Sequence, residues 1–438
     1  MGVLSCLTTG WWAQFSDRHG RTRVMGIGLL GFLFYDLVFI VVAKYSAHLP
    51  GGYWNLIWGN LVEGCLGGFT AAMAAYHAYI ADTTLPGTRS HIFSLAMGLV
   101  YIGMAIGPAL GSMVIAATGE ILSVFYLTAL VHLCFVFYIW ILMPESLAQD
   151  KMGVTYRRYF EARALSSARG SLRIVKKVVS TLDPLRVLVF PSEHAVPPRE
   201  RTHEKRNYNL AYIAAAYGFS ILLMGLMSYQ FQYATWTFHW ETEELGFFLS
   251  LVSAVRAAIL MIILPVLVRY LKHRQQNAPI RLDEDSERSS VPPMHDPSVD
   301  IMLLRVSLFL EIVAYIGLTV VRHPTGFIAF SVCNALGSGV SPAAQSLALE
   351  AFTAQGGHES GRLFGALSVI QALSSQIVGP ALFGFVYMAT VSSFPSAIFG
   401  VSAVFLIISF VFSCLVRSGG FRPTAGPLAE EVDRSRTD

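Results

Sequence analysis

A chain of 438 residues that is 54% hydrophobic and only 13% charged falls well below the roughly 25% charge of a soluble domain, which excludes a water-soluble globular fold. Its net charge of +3 is too small and too scattered to recognise nucleic acid. The five cysteines, Cys6, Cys65, Cys134, Cys333 and Cys414, lie in apolar segments without metal or redox spacing, and the lack of a P-loop or metal-ligand motif argues against an ATP-driven pump or a metalloenzyme.

A helix needs about 20 apolar residues to cross about 30 Å of hydrocarbon, and the chain offers ten full spans after one short one. The short one is residues 1–15, which lack the basic start and small-residue cleavage site of a signal peptide. The full spans lie near 24–43, 53–81, 90–117, 121–143, 208–236, 246–270, 301–321, 324–354, 361–389 and 394–416. Lys and Arg mark cytoplasmic loops. Arg18, Arg21, Arg23, Arg89, Arg269, Lys272, Arg274, Arg281, Arg288 and Arg362 fall on one side, against Lys44 and Arg322 on the other. The C-terminus is therefore expected in the cytoplasm. The division follows: an N-terminal bundle at 1–144, a cytoplasmic linker at 145–207, a C-terminal bundle at 208–417 and a tail at 418–438. A short surface helix is expected at Leu182–Leu188, and the mixed charge and prolines of 272–300 read as a disordered loop.

The chain states one arrangement twice. Asn60, Arg89 with Phe93, and Gly107-Pro108-Ala109-Leu110 return at a nearly constant offset as Asn334, Arg362 with Phe364, and Gly379-Pro380-Ala381-Leu382. A parallel repeat of membrane helices is how two-bundle secondary transporters are built, with the solute site where the halves meet.

Within the spans, polar residues at helical spacing are the candidates for a solute site. Ser331, Asn334, Ser338, Ser341 and Gln345 follow steps of three and four along 324–354 and form one stripe. The repeat partner carries Asn60, Glu63, Thr70 and His77 on one face in the same way. Tyr229 and Gln230, near the end of span 208–236, either touch the solute from the outer side or belong to an interfacial aromatic belt. Gly103, Gly107 and Gly111 strip one helix face of side chains so that a neighbour can approach closely, and Pro108 removes a backbone bond within that run. Arg256 and Glu311 sit at similar depth in consecutive spans, so they are expected to pair or to share the cavity, because a lone charge at mid-bilayer is costly.

Ala13-Gln14-Phe15-Ser16-Asp17-Arg18-His19-Gly20-Arg21-Thr22-Arg23 resembles the G-x-L-A-D-R-x-G-R-K signature of the major facilitator superfamily. The run from Gly103 to Ser112 is similar to the fifth-helix motif of its drug:proton antiporters, and Met143-Pro144-Glu145-Ser146 to the exit from its sixth helix. The resemblance spans essentially the whole chain and is nearest to fungal general-substrate members. It implies an all-α, two-bundle membrane fold of about 11 transmembrane helices, counted as family helices 2 to 12 with the first absent. It also implies that Asn60 to His77 and Ser331 to Gln345 lie on the cavity-lining fourth and tenth helices. In the gating loop of Asp17, Arg18, Gly20 and Arg21, Asp17 would latch onto the N-terminus of the helix beginning near Gly361, where the helix dipole favours a carboxylate.

Asn60 stands where the antiporters carry an Arg, and Glu63-Gly64 with Gly67-Gly68 is similar to the proton-coupled folate transporter group. The expected function is a secondary transporter and not an enzyme. It would move small organic solutes by alternating access, coupled to protons as an efflux antiporter, with Glu63 as the proton switch. Proton symport of an anionic nutrient is the alternative, and a truncated non-transporting protein or receptor-like relic is a second. The partners expected are a small-molecule substrate, protons and the lipid of a plasma or vacuolar membrane, with the chain acting as a monomer, without cofactor or metal.

Overall fold

The computed structural model describes residues 2–85, 88–150, 152–157, 160, 185, 188, 208–276, 297–357 and 359–421. Most of the expected surface helix at Leu182–Leu188, most of the 272–300 loop and the tail beyond 421 lie outside the described residues.

Where the hydropathy pattern asks for spans, helices form. The first half holds α1 (Gly2–His19), α2 (Arg21–Tyr45), α3 (Leu56–Cys65), α4 (Gly68–Thr83), α5 (Arg89–Thr118) and α6 (Leu122–Phe137). The second half opens with α7 (Asn209–Ile221) and α8 (Met227–Phe238), joined by a 3-10 turn at Leu222–Leu226. Then come α9 (Thr242–Ala258) and α10 (Leu264–Gln276), joined by a π turn at Ile259–Ile263, and α11 (Ser298–Val320). It closes with α12 (Pro324–Ala335), α13 (Val340–Ala354), α14 (Ser360–Ala372), α15 (Gly379–Thr390) and α16 (Ala397–Leu415). Among the described residues, nine helical runs are long and apolar enough to cross a membrane. The remaining two expected spans are α1, rich in Ser, Thr and charge, and the pair α3–α4, whose members are each too short alone.

Two spans break near their middle. Between α3 and α4 the chain turns on Gly67 and Gly68, at φ +87° and +52°, a left-handed conformation that costs an L side chain about 1–2 kcal/mol. Freed carbonyls inside a membrane need new donors. Here α1 supplies them: Thr8 donates to Gly64 O at 2.8 Å and Trp12 Nε1 to Cys65 O at 3.0 Å. Between α12 and α13, by contrast, the backbone tightens, with Leu336, Gly337 and Ser338 bonding to the carbonyls three residues back.

The small-residue face of α5 departs from expectation. Side chains placed at Gly103, Gly107 or Gly111 would meet nothing within 4 Å, so no described neighbour uses that face for close approach. The reason is directional: α5 packs on α9 and α13, and the contact that needs a glycine is at Gly98, against Met261 and Leu260. The halves meet along two seams, α1 and α4 on α14, and α5 on α9 and α13.

Candidate functional site

One end of the bundle carries the polar α1–α2 turn, and there the halves are tied together. Gly20, at φ +103°, reverses the chain so that Asp17 and Arg21 face each other at 2.6 Å with almost no exposure. Arg21 also reaches Asp82 of α4 at 3.0 Å and donates to Ser360 Oγ at 2.9 Å. Ser360 in turn donates to Asp82 at 2.7 Å, and the backbone N–H of Gly361 to Asp17 at 3.1 Å. Asp17 therefore sits on the N-terminus of α14, with the positive end of the helix dipole facing it. A side chain at Gly361 would run into Arg21 and Asp17. Arg18 turns back to donate to Gln14 O at 2.9 Å. Glu145 does for α2 what Asp17 does for α14, but within one half: it accepts from Arg21 N at 2.9 Å, Thr22 N at 3.1 Å and Thr22 Oγ1 at 2.8 Å. Burial works against its ionisation, yet these donors and the N–H of Leu147 hold its carboxyl below the ordinary value.

Deeper between the halves lies a cavity of about 270 Å³. His77 on its wall packs against Phe93 of its own half and Phe364 of the other, the three rings 5.7–5.8 Å apart by centroids and all buried. The walls include Met97, Tyr101 and Met104 of α5, Tyr217 of α7, Gln230 of α8 and Arg256 of α9. Glu311 and Tyr315 of α11, Gln371 of α14 and the stripe Ser331, Asn334, Ser338, Ser341 and Gln345 complete them. A larger depression of about 460 Å³ lies entirely in the second half, around Ser298, Met302 and Arg305. Its Arg305 is committed to the carbonyls of Ser413 and Val416 at the end of α16, so we place the site between the halves.

The polar stripe expected in the first half is not on this wall, His77 excepted. Asn60 donates to Leu56 O of its own helix at 3.2 Å, and Thr70 shares a 2.7 Å hydrogen bond with Thr9. Glu63 is buried against α2, where a Cβ on Gly31 would stand 3.5 Å from its Cα. For Asn60 and Glu63 the physical reason is the turn at Gly67, because a face counted along one continuous helix does not carry across a left-handed residue; Thr70, on the same helix as His77, faces α1 instead. Tyr229 also lies off the wall, its hydroxyl donating to Pro380 O at 3.1 Å.

Arg256 and Glu311 share the wall but form no salt bridge, the described ion pairs being Arg21 with Asp17 and with Asp82, and His132 with Asp36. Arg256 instead donates to the hydroxyl of Tyr101 at 3.0 Å, with its guanidinium 5.3 Å from that ring's centroid. Its Nε, Ser331 Oγ and Asn334 Oδ1 have no hydrogen-bond partner among the described residues. The sequence reading missed Tyr101, Tyr315 and Gln371, and also the Asp36–His132 pair at 2.6 Å between α2 and α6. Asp36, a charge within an apolar span, was the one available signal for that pair.

A family model described as Major Facilitator Superfamily matches residues 1–281. The MFS-type transporter avaJ of Aspergillus versicolor is 25% identical over 415 residues, covering 93% of this chain and 74% of that protein. Among solved structures, the human organic anion transporter TETRAN superposes with a TM-score of 0.66 at 17% identity, covering 94% of this chain and 81% of its own. The proton:xylose symporter XylE superposes with a TM-score of 0.62 at 10% identity, covering 96% and 86%.

Proposed function

The chain belongs to the major facilitator superfamily and is a multi-pass membrane protein that transports small solutes; from that premise we propose a proton-coupled carrier of small organic solutes, alternating access about the cavity between its halves. The observation that carries this reading is the cavity itself, which takes its walls from both halves; a separate network of hydrogen bonds at one end of the bundle also joins the two halves. In this reading the latch end faces the cytoplasm, in keeping with the Lys/Arg pattern. Breaking the Asp17–Gly361 and Arg21–Ser360 bonds lets that end open. The state described here is the one in which it is shut.

The proton site of this reading is Glu311. A carboxyl that couples protons to solute must meet the solute's compartment, and Glu311 lines the cavity whereas Glu63 is sealed between helices of the first half. Coupling follows when one access state rehydrates the carboxyl and lets its proton leave. XylE is named as a proton symporter, which supports coupling on this fold without deciding symport against antiport.

The test is purified full-length protein in proteoliposomes, screened with organic solutes under an imposed pH gradient. Accumulation is expected while the gradient persists and is lost when a protonophore collapses it. Equal uptake with and without the gradient would overturn proton coupling.

A further inference from the structure

We infer that the cavity takes an organic anion on Arg256, and that Glu311 must carry a proton for the anion to stay. The inference deepens the proposed function and rests on the cavity being the solute site.

Arginine stays charged in any protein environment, and Arg256 stands in the run of α9 from Leu245 to Ala258 that is otherwise built of apolar and small residues. Its one direct hydrogen bond is to a neutral hydroxyl, and the face of the same Tyr101 ring lies beside the guanidinium. Nε adds a buried donor without a partner. A guanidinium can present two parallel N–H groups to a carboxylate, sulfonate or phosphonate, which binds such a fork through two oxygens. Met97, Met104, Met227 and Phe231 on the same wall suit an apolar body behind the anionic head.

Among the described residues that line the cavity, Glu311 is the one acidic side chain. Its stem is held where the α12–α13 break leaves room: a Cβ on Gly337 would collide with it, and would stand 2.8 Å from Ser307 O. Ionised, Glu311 competes with an incoming anion for the same guanidinium and repels it; protonated, it does neither. The groups that face it are Arg256 from α9, Tyr101 from α5, Tyr315 of its own helix and Asn334 from α12. The packed helix α16 offers no titratable side chain before Cys414 at its far end, and α10 carries Arg269 and Tyr270. His77 and Tyr217 are the remaining titratable side chains among the described residues that line the cavity.

Two occupancies are then close to electrically neutral: Arg256 with ionised Glu311, and Arg256 with the anion and protonated Glu311. The proton comes from water on the side to which the cavity opens, binds a Glu311 carboxylate oxygen and leaves with the anion on the other side. Because anion and proton each favour the other's binding, and linkage makes that preference reciprocal, the two travel together.

The test uses full-length protein in nanodiscs with naphthalenesulfonate, which is ionised throughout, and the neutral naphthalenesulfonamide, titrated at about pH 5.5 and about pH 8. The sulfonate is expected to bind at least about tenfold more tightly than the sulfonamide at the lower pH, and to weaken at the higher one. Arg256→Gln should remove that preference while leaving sulfonamide binding in place. Glu311→Gln should bind the sulfonate equally at both pH values, and His77→Gln should keep the wild-type pH dependence. Equal binding of the two probes, binding of neither, an unaffected Arg256→Gln, or a pH dependence that survives in Glu311→Gln overturns the inference. Met104→Trp, which fills the cavity, separates the two levels of argument. If both probes still bind to it, the cavity is not the solute site and the underlying reading fails. If it blocks both while the wild type shows no preference for the anion, only the present inference fails.

Discussion

Gly107-Pro108 and Gly379-Pro380 occupy matching places in the two halves, each in the long run after a broken span, yet only the second pair is packed. Gly379 lies against the backbone of Leu222 and Gly225 in the 3-10 turn of the α7–α8 span, and a Cβ there would stand 2.6 Å from Leu222 O. Around Gly103, Gly107 and Gly111 nothing lies within that reach. A run of small residues is thus a capacity for close approach and not a contact; what realises it is a neighbour whose own backbone is equally bare, as Gly225 is. The broken spans differ in the same spirit. The break at Gly67 is filled by Trp12 and closed by its hydrogen bond, whereas the break at Gly337 opens onto Glu311 and the cavity.

The largest effect should come from the packed glycine pair. Gly379→Leu forces a side chain into backbone, and overpacking of this kind destabilises by about 3 kcal/mol, the upper end of its usual range. The folded species should be lost or its thermal midpoint in detergent should fall sharply. Gly107→Ala should be neutral or stabilising by up to about 1 kcal/mol, the helix-propensity gain of alanine over glycine. If both substitutions destabilise alike, something covers the α5 face and the contrast between the halves disappears.

The same contrast explains what could be read from the sequence. The spans were legible because hydrocarbon thickness imposes length and apolarity on each of them, and a local motif put Asp17 and Arg21 in the tight turn where they are found. The stripe from Ser331 to Gln345 was legible despite a break, since the turn at 336–339 keeps a right-handed backbone and carries the spacing through. The placement of Asn60 and Glu63 was not, because Gly67 takes a left-handed conformation that a count of three and four cannot register. The partner of Arg256 was not legible either. Tyr101 lies in another half and another span, and only the packing of α5 on α9 brings the two together.

An intermediate effect is expected at the two breaks, with opposite consequences. Gly67→Ala meets both a positive φ and the side chains of Ala71 and Trp12, and should cost about 1–2 kcal/mol from backbone strain alone. Trp12→Phe removes the donor to Cys65 O and should cost about 1–3 kcal/mol, the penalty of an unsatisfied buried acceptor. Neither should change solute affinity, which a binding titration would check. Gly337→Ala should instead displace Glu311 and flatten the pH dependence of transport while shifting the thermal midpoint less than Gly67→Ala does. Should Gly337→Ala keep the wild-type pH profile, the second break has no tie to the proton site.

The smallest effect separates the two carboxylates at helix N-termini. Asp17 serves α14 across the halves, whereas Glu145 serves α2 within its own half from an exposed position. A solvent-screened carboxylate at a helix N-terminus contributes about 0.3–1 kcal/mol, so Glu145→Gln should lower the thermal midpoint slightly and leave transport unchanged. The pH dependence follows from its lowered folded-state value. Its contribution is fully present above the ordinary carboxylate value near 4.5 and is lost as the pH falls through the lower folded value, when the protonated carboxyl accepts the N–H groups of Arg21 and Thr22 less well. The difference in midpoint between wild type and Glu145→Gln should therefore be constant at neutral pH and shrink only in the acid range. A difference that grows on acidification, or a transport defect as large as that of Asp17→Asn, would mean that Glu145 belongs to the moving latch and not to the fixed frame of the first half.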